Sequence, residues 1–128
     1  MTHAIARIGR AAPYTTDISF GTHALTADEP VERGGGDSGP APYELLLGSL
    51  GACTAITLRM YAERKQWAVE DIEVSLFLHG QGETLSIERV LKIVGTDDAQ
   101  NARLAEIAEK TPVTLTLKRG VPIETRFG

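Results

Sequence analysis

Residues 45–58 read LLLGSLGACTAITL, a run in which every face of a helix would be apolar or small. A helix with no polar face must be covered on nearly all sides, so this stretch decides the fold. Pro42 suits a first helical turn, and Glu44 in that turn complements the helix dipole. No proline interrupts the chain from there to about Lys65, which predicts a helix about 36 Å long. Ser49, Thr54 and Thr57 break the apolar run and Arg59 closes it, leaving roughly 14 residues against the roughly 20 that cross a bilayer. Gly48 with Ala52, and Gly51 with Ala55, set small residues four apart, so that a second helix or the chain's own sheet can come close. A helix so long and so apolar is hard to cover within 128 residues, which favours a partner chain.

Outward from the helix, the first third reads as β structure. Ala4 to Ile8 is an edge strand, Tyr14 to Phe20 carries Ile18 and Phe20 on one face, and Gly21-Thr22 turns the chain into His23 to Ala27. Residues 28–42, DEPVERGGGDSGPAP, form a loop rich in glycine and proline. Beyond the helix, Ile72 to Leu78 alternates, with Ile72, Val74, Leu76 and Leu78 on one face. A polar turn at Gly80 to Thr84 leads to a second strand, about Leu85 to Val94. Asp97 and Gln100 have capping-box spacing and open a helix bearing Leu104, Ile107 and Ala108. Thr111-Pro112 ends it and starts a further short turn, and Val121 to Phe127 reads as a closing strand. Strands and helices do not alternate as βαβ units, so the expectation is one α+β domain, residues 1–128, with an antiparallel sheet and a long central buried helix.

Composition removes several classes of function. With 42% hydrophobic and 23% charged residues the chain has the balance of a globular domain with a modest core. A net charge of −4 argues against nucleic acid, whose phosphates call for a basic surface. The N-terminal MTHAIARIGRAAP lacks the apolar core of a signal peptide, so the cytoplasm is the expected compartment and no membrane is expected. The single cysteine forms no internal disulfide. His3, His23 and His79 stand far apart without ligand spacing, so no metal site is expected.

Two look-alike motifs carry little. Gly34, Gly36 and Gly39 satisfy a bare GxGxxG, but no buried strand precedes them, and Pro40 and Pro42 remove N–H donors that a phosphate would need. Residues 36–39, GDSG, echo the surroundings of a trypsin-type serine, yet Ser38 has no histidine motif to work with. A loop that turns the chain into the helix accounts for both. Cys53 is the reactive candidate. Its helical neighbours Leu46, Ser49, Leu50, Ile56, Thr57 and Met60 form an apolar wall with two hydroxyls. That wall suits a hydrophobic substrate or a packed core, where a free cysteine acts as a small hydrophobe. Burial alone disfavours a thiolate, so reactivity would call for a nearby cation.

The segment ADEPVERGGGDSGPAPYELLLGSLGACTAITLRMYAERKQW, residues 27–67, resembles the osmotically inducible protein C / organic hydroperoxide resistance superfamily. DIEVSLFLHG after the helix, IAEKTPVTLTL at residues 107–117 and GVPIETRFG at residues 120–128 extend the resemblance over most of the chain from about Tyr14. It implies an intertwined α+β homodimer with two long helices packed inside. Active members are thiol peroxidases that reduce organic and fatty-acid hydroperoxides in oxidative stress, need no cofactor, and use a helix cysteine that Cys53 matches. In them a second cysteine resolves the sulfenic acid to a disulfide, which a dithiol reduces.

Three departures follow from the same comparison. The second cysteine's position is Thr111, so no intramolecular disulfide can form. The helix-start glutamate's position is Tyr43, with Glu44 matching the next residue, and Glu44 lies about 180° round an ideal helix from Cys53. The family's N-terminal arginine motif is missing, Arg10 and Arg33 being stand-ins by location only. The expectation is a one-cysteine hydroperoxide reductase with Cys53 as nucleophile, an external thiol or dithiol as reductant, and Tyr43, Glu44 and Thr111 as pocket candidates. A non-catalytic dimer binding a small apolar ligand is the rival. Other covalent chemistry at Cys53, such as acyl transfer, is weaker because no motif supplies a general base.

Overall fold

A computed structural model describes residues 2–128, which form a mixed α+β chain with two antiparallel sheets and three helices. The chain divides into two compact units, one ending at Leu46 and the other spanning Leu47–Gly128. In the first, strands β1 (Ile5–Ile8), β2 (Thr16–Phe20) and β3 (His23–Ala27) pair in that order, with Ile5 opposite Ser19 and Ile18 opposite Leu25. Gly21 turns the β2–β3 hairpin at a φ of 63°.

The glycine-rich loop after β3 is organised by one carboxylate. Asp28 is only 2% exposed. Its Oδ1 accepts the Glu29 N–H at 2.7 Å; its Oδ2 accepts the Gly36 and Ser38 N–H groups at 3.2 and 3.1 Å and the Ser38 hydroxyl at 2.7 Å. Thr15 adds a further hydroxyl donor at 3.3 Å. The loop is drawn so close that a Cβ on Gly35 would sit 2.0 Å from the Glu29 carbonyl oxygen, and one on Gly39 2.0 Å from that of Thr26. Glycine is required there by backbone contact, and Ser38 serves the turn as a donor to Asp28.

Helix α1 (Pro42–Arg64) begins in the first unit and continues through the second. The Glu44 carboxylate accepts the Ala41 N–H at 2.9 Å, satisfying a donor at the helix start. The far end stops without glycine or proline. Gln66 takes a left-handed φ of 59°, the Trp67 N–H reaches the Ala62 carbonyl at 2.9 Å and the Gln66 N–H reaches that of Glu63 at 3.0 Å. This is a Schellman termination, and it folds Trp67 back so that its ring meets Tyr61 edge-on at 5.6 Å.

The second unit adds hairpin β4 (Asp71–His79) and β5 (Ser86–Val94), helix α2 (Asp98–Ala108) and helix α3 (Pro112–Arg119). The capping box of α2 is complete, the Asp97 side chain accepting from the Gln100 N–H and the Gln100 side chain from the Asp97 N–H. Leu58, Leu104 and Ala108 form the buried cluster, with Trp67, Ile72, Leu91, Ile93 and Ile107 packed against it. Gly51 lets α1 settle on the hairpin, since a Cβ there would lie 2.8 Å from Leu76 Cδ1. The Gly51–Ala55 strip thus turns partly to the chain's own sheet, whereas Gly48 faces open space.

A single chain leaves α1 partly bare, as expected of a helix that favours a partner, and one expectation needs correction. Within one chain α1 is buried only along Leu50, Thr54, Leu58 and Ala62, a single stripe at four-residue spacing; Ile56 is 55% and Met60 63% exposed. The hairpin and α2 pack along that one face. The 23-residue helix also exceeds the apolar run read from sequence, and by length and composition it could cross a bilayer, though its buried stripe belongs to the core just described. Val121 to Phe127 forms no strand: it is exposed throughout, because no strand of this chain pairs with it among the described residues.

Leu104 is fully buried, so Leu104→Ala should cost about 2–5 kcal/mol in urea unfolding, as truncated core leucines do. Asp28 gives a pH signature. The Ser38 hydroxyl, with the Glu29, Ser38 and Gly36 N–H groups, lowers its carboxyl from 3.8 to about 2 against the opposing effect of burial. Between those values the unfolded chain holds more protons at this site than the folded one, so stability rises with pH across the window and this contribution is flat above it. Denaturation followed from pH 5 down to about pH 2 should show that fall, and Asp28→Asn should abolish this part of it.

Candidate active site around Cys53

Cys53 lies in the middle of α1 and is half-buried, flanked by the exposed Ala52 and the fully buried Thr54. Its Sγ accepts the Val113 N–H at 3.5 Å. Val113 is in the first turn of α3, where N–H groups have no partner inside the helix and the dipole favours negative charge. Pro112 is compatible with that turn because its missing N–H is one the helix does not use. The arrangement offers a sulfur bearing negative charge a preformed donor.

Beside this contact runs a buried polar network. Arg89 sits on the inward row of β5 with Ile87, Leu91 and Ile93, its side chain 11% exposed. Its Nη1 donates to the Thr54 hydroxyl at 3.0 Å and to the Thr114 hydroxyl at 2.8 Å; Nη2 donates to the Ala108 carbonyl at 2.9 Å and to Glu109 Oε2 at 3.1 Å. Thr54 passes its own proton to the Leu50 carbonyl at 2.7 Å. Thr114 gives its proton to the Ala108 carbonyl at 3.2 Å, so the Thr111 hydroxyl donates to Thr114. The Lys118 ammonium, 2.6 Å from Glu109, and then Arg89 hold the Glu109 carboxyl below its usual range. No buried side-chain nitrogen or oxygen among the described residues lacks a partner.

The sequence-predicted residues separate into two groups. Cys53 and Thr111 both belong to the second unit: Thr111 precedes α3, fully buried, two residues from the amide that meets Cys53. Its burial turns the hydroxyl to Thr114 rather than to open space. Tyr43, 55% exposed, and Glu44, engaged with the Ala41 N–H, belong to the first unit, as do the exposed Arg10 and Arg33. Arg89, Thr54, Val113 and Thr114 were missed. The signal for Arg89 was present in the sequence, a cation in the row Ile87, Leu91, Ile93 where period-two burial calls for an apolar residue. A groove of about 480 Å³ also opens along α1, lined by Ile56, Met60 and Ile72 with Arg59, Glu63 and Asp71, and Cys53 is not among its walls.

The family model for the OsmC-like protein matches residues 34–126, and the chain belongs to that family. Its fold is that of solved OsmC-like structures. An OsmC-like protein from Mycoplasma pneumoniae superposes with a TM-score of 0.78 at 17% identity, covering 92% of this chain and 87% of that one. An organic hydroperoxide resistance protein from Legionella pneumophila gives 0.70 at 22% identity, covering 92% and 89%. The organic hydroperoxide resistance protein of Bacillus subtilis gives 0.64 at 21% identity, covering 91% and 90%. No curated protein sequence matches the chain closely enough to count as a relative.

Proposed function

We propose that this chain is a one-cysteine, thiol-dependent reductase of organic and fatty-acid hydroperoxides that works as a cytoplasmic homodimer. The observation that carries the proposal is the Val113 N–H directed at Cys53 Sγ from the start of α3. A thiolate, not a thiol, attacks peroxide oxygen, and an amide at a helix start favours the charged sulfur. Family membership and the hydroperoxide resistance proteins among the structural neighbours support the same chemistry.

In the first step Cys53 Sγ attacks one peroxide oxygen. The S–O bond forms, the O–O bond breaks, and the departing alkoxide takes a proton to leave as an alcohol. With Thr111 at the resolving position, the sulfenic acid waits for an external thiol. The first thiol displaces water to give a mixed disulfide; the second releases Cys53 and carries off the oxidised pair. A reducing cytoplasm supplies such thiols.

The homodimer rests on what one chain leaves bare. Ile56 and Met60 on α1, Phe77 and Val90 on the hairpin, and Ile123 and Phe127 in the terminal segment are all more than two-fifths exposed. Contiguous apolar surface of more than a few hundred Å² marks an interaction site on a soluble protein, and a second copy of this chain is the occupant proposed. The groove lined by Ile56, Met60 and Ile72 favours a second reading, a non-catalytic dimer that holds an apolar ligand away from the sulfur.

Cumene hydroperoxide and a sulfenic-acid trap separate the two. Peroxide-dependent trapping at Cys53, with dithiol consumption that disappears in Cys53→Ser, is the expected result. Trapping no faster than a free model thiol would leave only the binding reading. Sedimentation at twice the 13.8 kDa chain mass is expected, and a stable monomer would remove the dimer.

A further inference from the structure

We propose that Arg89 is a positioning residue for Cys53, an inference that builds on the reductase reading but is tested apart from it. One guanidinium nitrogen, Nη1, bonds Thr54 at 3.0 Å and Thr114 at 2.8 Å. The residues just before those two, Cys53 and Val113, make the N–H···S contact. Each pair consists of consecutive residues of a helix, so fixing Thr54 against Thr114 fixes the sulfur against the amide. Nη2 adds the Ala108 carbonyl, the last residue of α2, and so also anchors the segment from which α3 starts.

A purely stabilising role explains the residue poorly. Arg89 lies between Ile87 and Leu91 in an otherwise apolar row, where a hydrophobic side chain would fill the space without desolvating a charge. Buried ionic groups are commonly neutral or unfavourable for stability against well-packed apolar replacements, and their attested use is to specify one arrangement. The arrangement specified here is the meeting of α1 with the start of α3. Thr111 and Thr114 take part in it through their shared hydrogen bond, and Glu109 balances the charge at 3.1 Å.

Positioning and mere stabilisation predict opposite signs in one measurement. Loosening the structure exposes a half-buried thiol and leaves its alkylation unchanged or faster. Loss of the aligned N–H withdraws a charge-assisting donor and slows it. The reduced full-length protein is treated with iodoacetamide at pH 7 and adducts at Cys53 are timed by mass spectrometry. Arg89→Met should react about tenfold more slowly than the wild type, the scale of one charge-assisted hydrogen bond. Thr114→Val, which keeps the arginine charge, should also slow the reaction, whereas Leu104→Ala should leave it unchanged or speed it. The Val113 amide proton should move upfield in Arg89→Met and in Thr114→Val as its bond to sulfur lengthens. Alkylation of Arg89→Met at or above the wild-type rate overturns the proposal, and so does a wild-type rate in Thr114→Val. If Arg89→Met does not fold, Thr114→Val decides alone. A wild-type protein that fails to turn over cumene hydroperoxide sinks the reductase reading and leaves these alkylation rates to judge Arg89 independently.

Discussion

The second unit packs against a helix that it covers only in part. α1 runs 23 residues from Pro42 to Arg64, yet its buried side chains are Leu50, Thr54, Leu58 and Ala62, one stripe of a rod that is apolar or small on most faces. The hairpin and α2 meet that stripe where Ile72, Leu91 and Leu104 pack with Leu58. Among what remains, Ile56 at 55% and Met60 at 63% exposure are apolar surface that water covers at a cost of about 25 cal/mol per Å². The same constraint explains why an arginine can lie inside so small a core. The Thr54 hydroxyl, mid-stripe and fully buried, offers a polar partner where leucines otherwise pack.

The glycine-rich loop before the helix solves a different problem. After β3 the chain must reverse and enter α1, and it does so around a single ionised carboxylate that satisfies N–H groups at Glu29, Gly36 and Ser38. Loop backbone deprived of ladder partners needs such an acceptor when it is drawn inward. Gly35 and Gly39 are where backbone passes backbone with no room for a side chain. The pattern that imitates a nucleotide-binding motif in sequence is therefore the footprint of close packing about Asp28. The pattern that imitates a protease serine is the hydroxyl which helps charge that carboxylate.

Local rules made much of this legible. The β2–β3 hairpin, the alternating rows of β4 and β5, the capping box at Asp97 and the run of α1 from Pro42 are all governed by residues within a few positions of one another. Boundaries moved by a residue or two where no cap marks the strand, as at Ile5 and Thr16. The end of α1 fell within a residue of the expected Lys65, but its device did not show in the sequence: Gln66 adopts the left-handed turn usually given to glycine, and Trp67 folds onto the core. Val121 to Phe127 has a strand's composition but no strand to pair with in its own chain, and composition does not say where a partner is. The place of Cys53 in mid-helix was legible from the run of α1. The residues gathered beside it were not, because Arg89, Thr54 and Thr114 meet across 25 and 35 positions of sequence and are joined only by folding.

Threonine at position 111 has a physical consequence of its own. A cysteine there would hold its sulfur as a weak donor, whereas threonine supplies a full hydroxyl to Thr114 and so completes the polar chain leading to Arg89. On the proposed reductase reading the chain has no second thiol to resolve an oxidised Cys53, and position 111 holds instead a hydroxyl that ties the start of α3. If resolution falls to outside thiols, as proposed, access to Cys53 becomes the governing requirement, and the residue is half-buried between the exposed Ala52 and the covered Thr54. Whatever covers the bare faces of α1 must therefore leave the sulfur reachable along the Ala52 side. A partner that sealed that side would stabilise the helix and silence the chemistry together, so the demands of burial and of turnover meet at this one turn of α1.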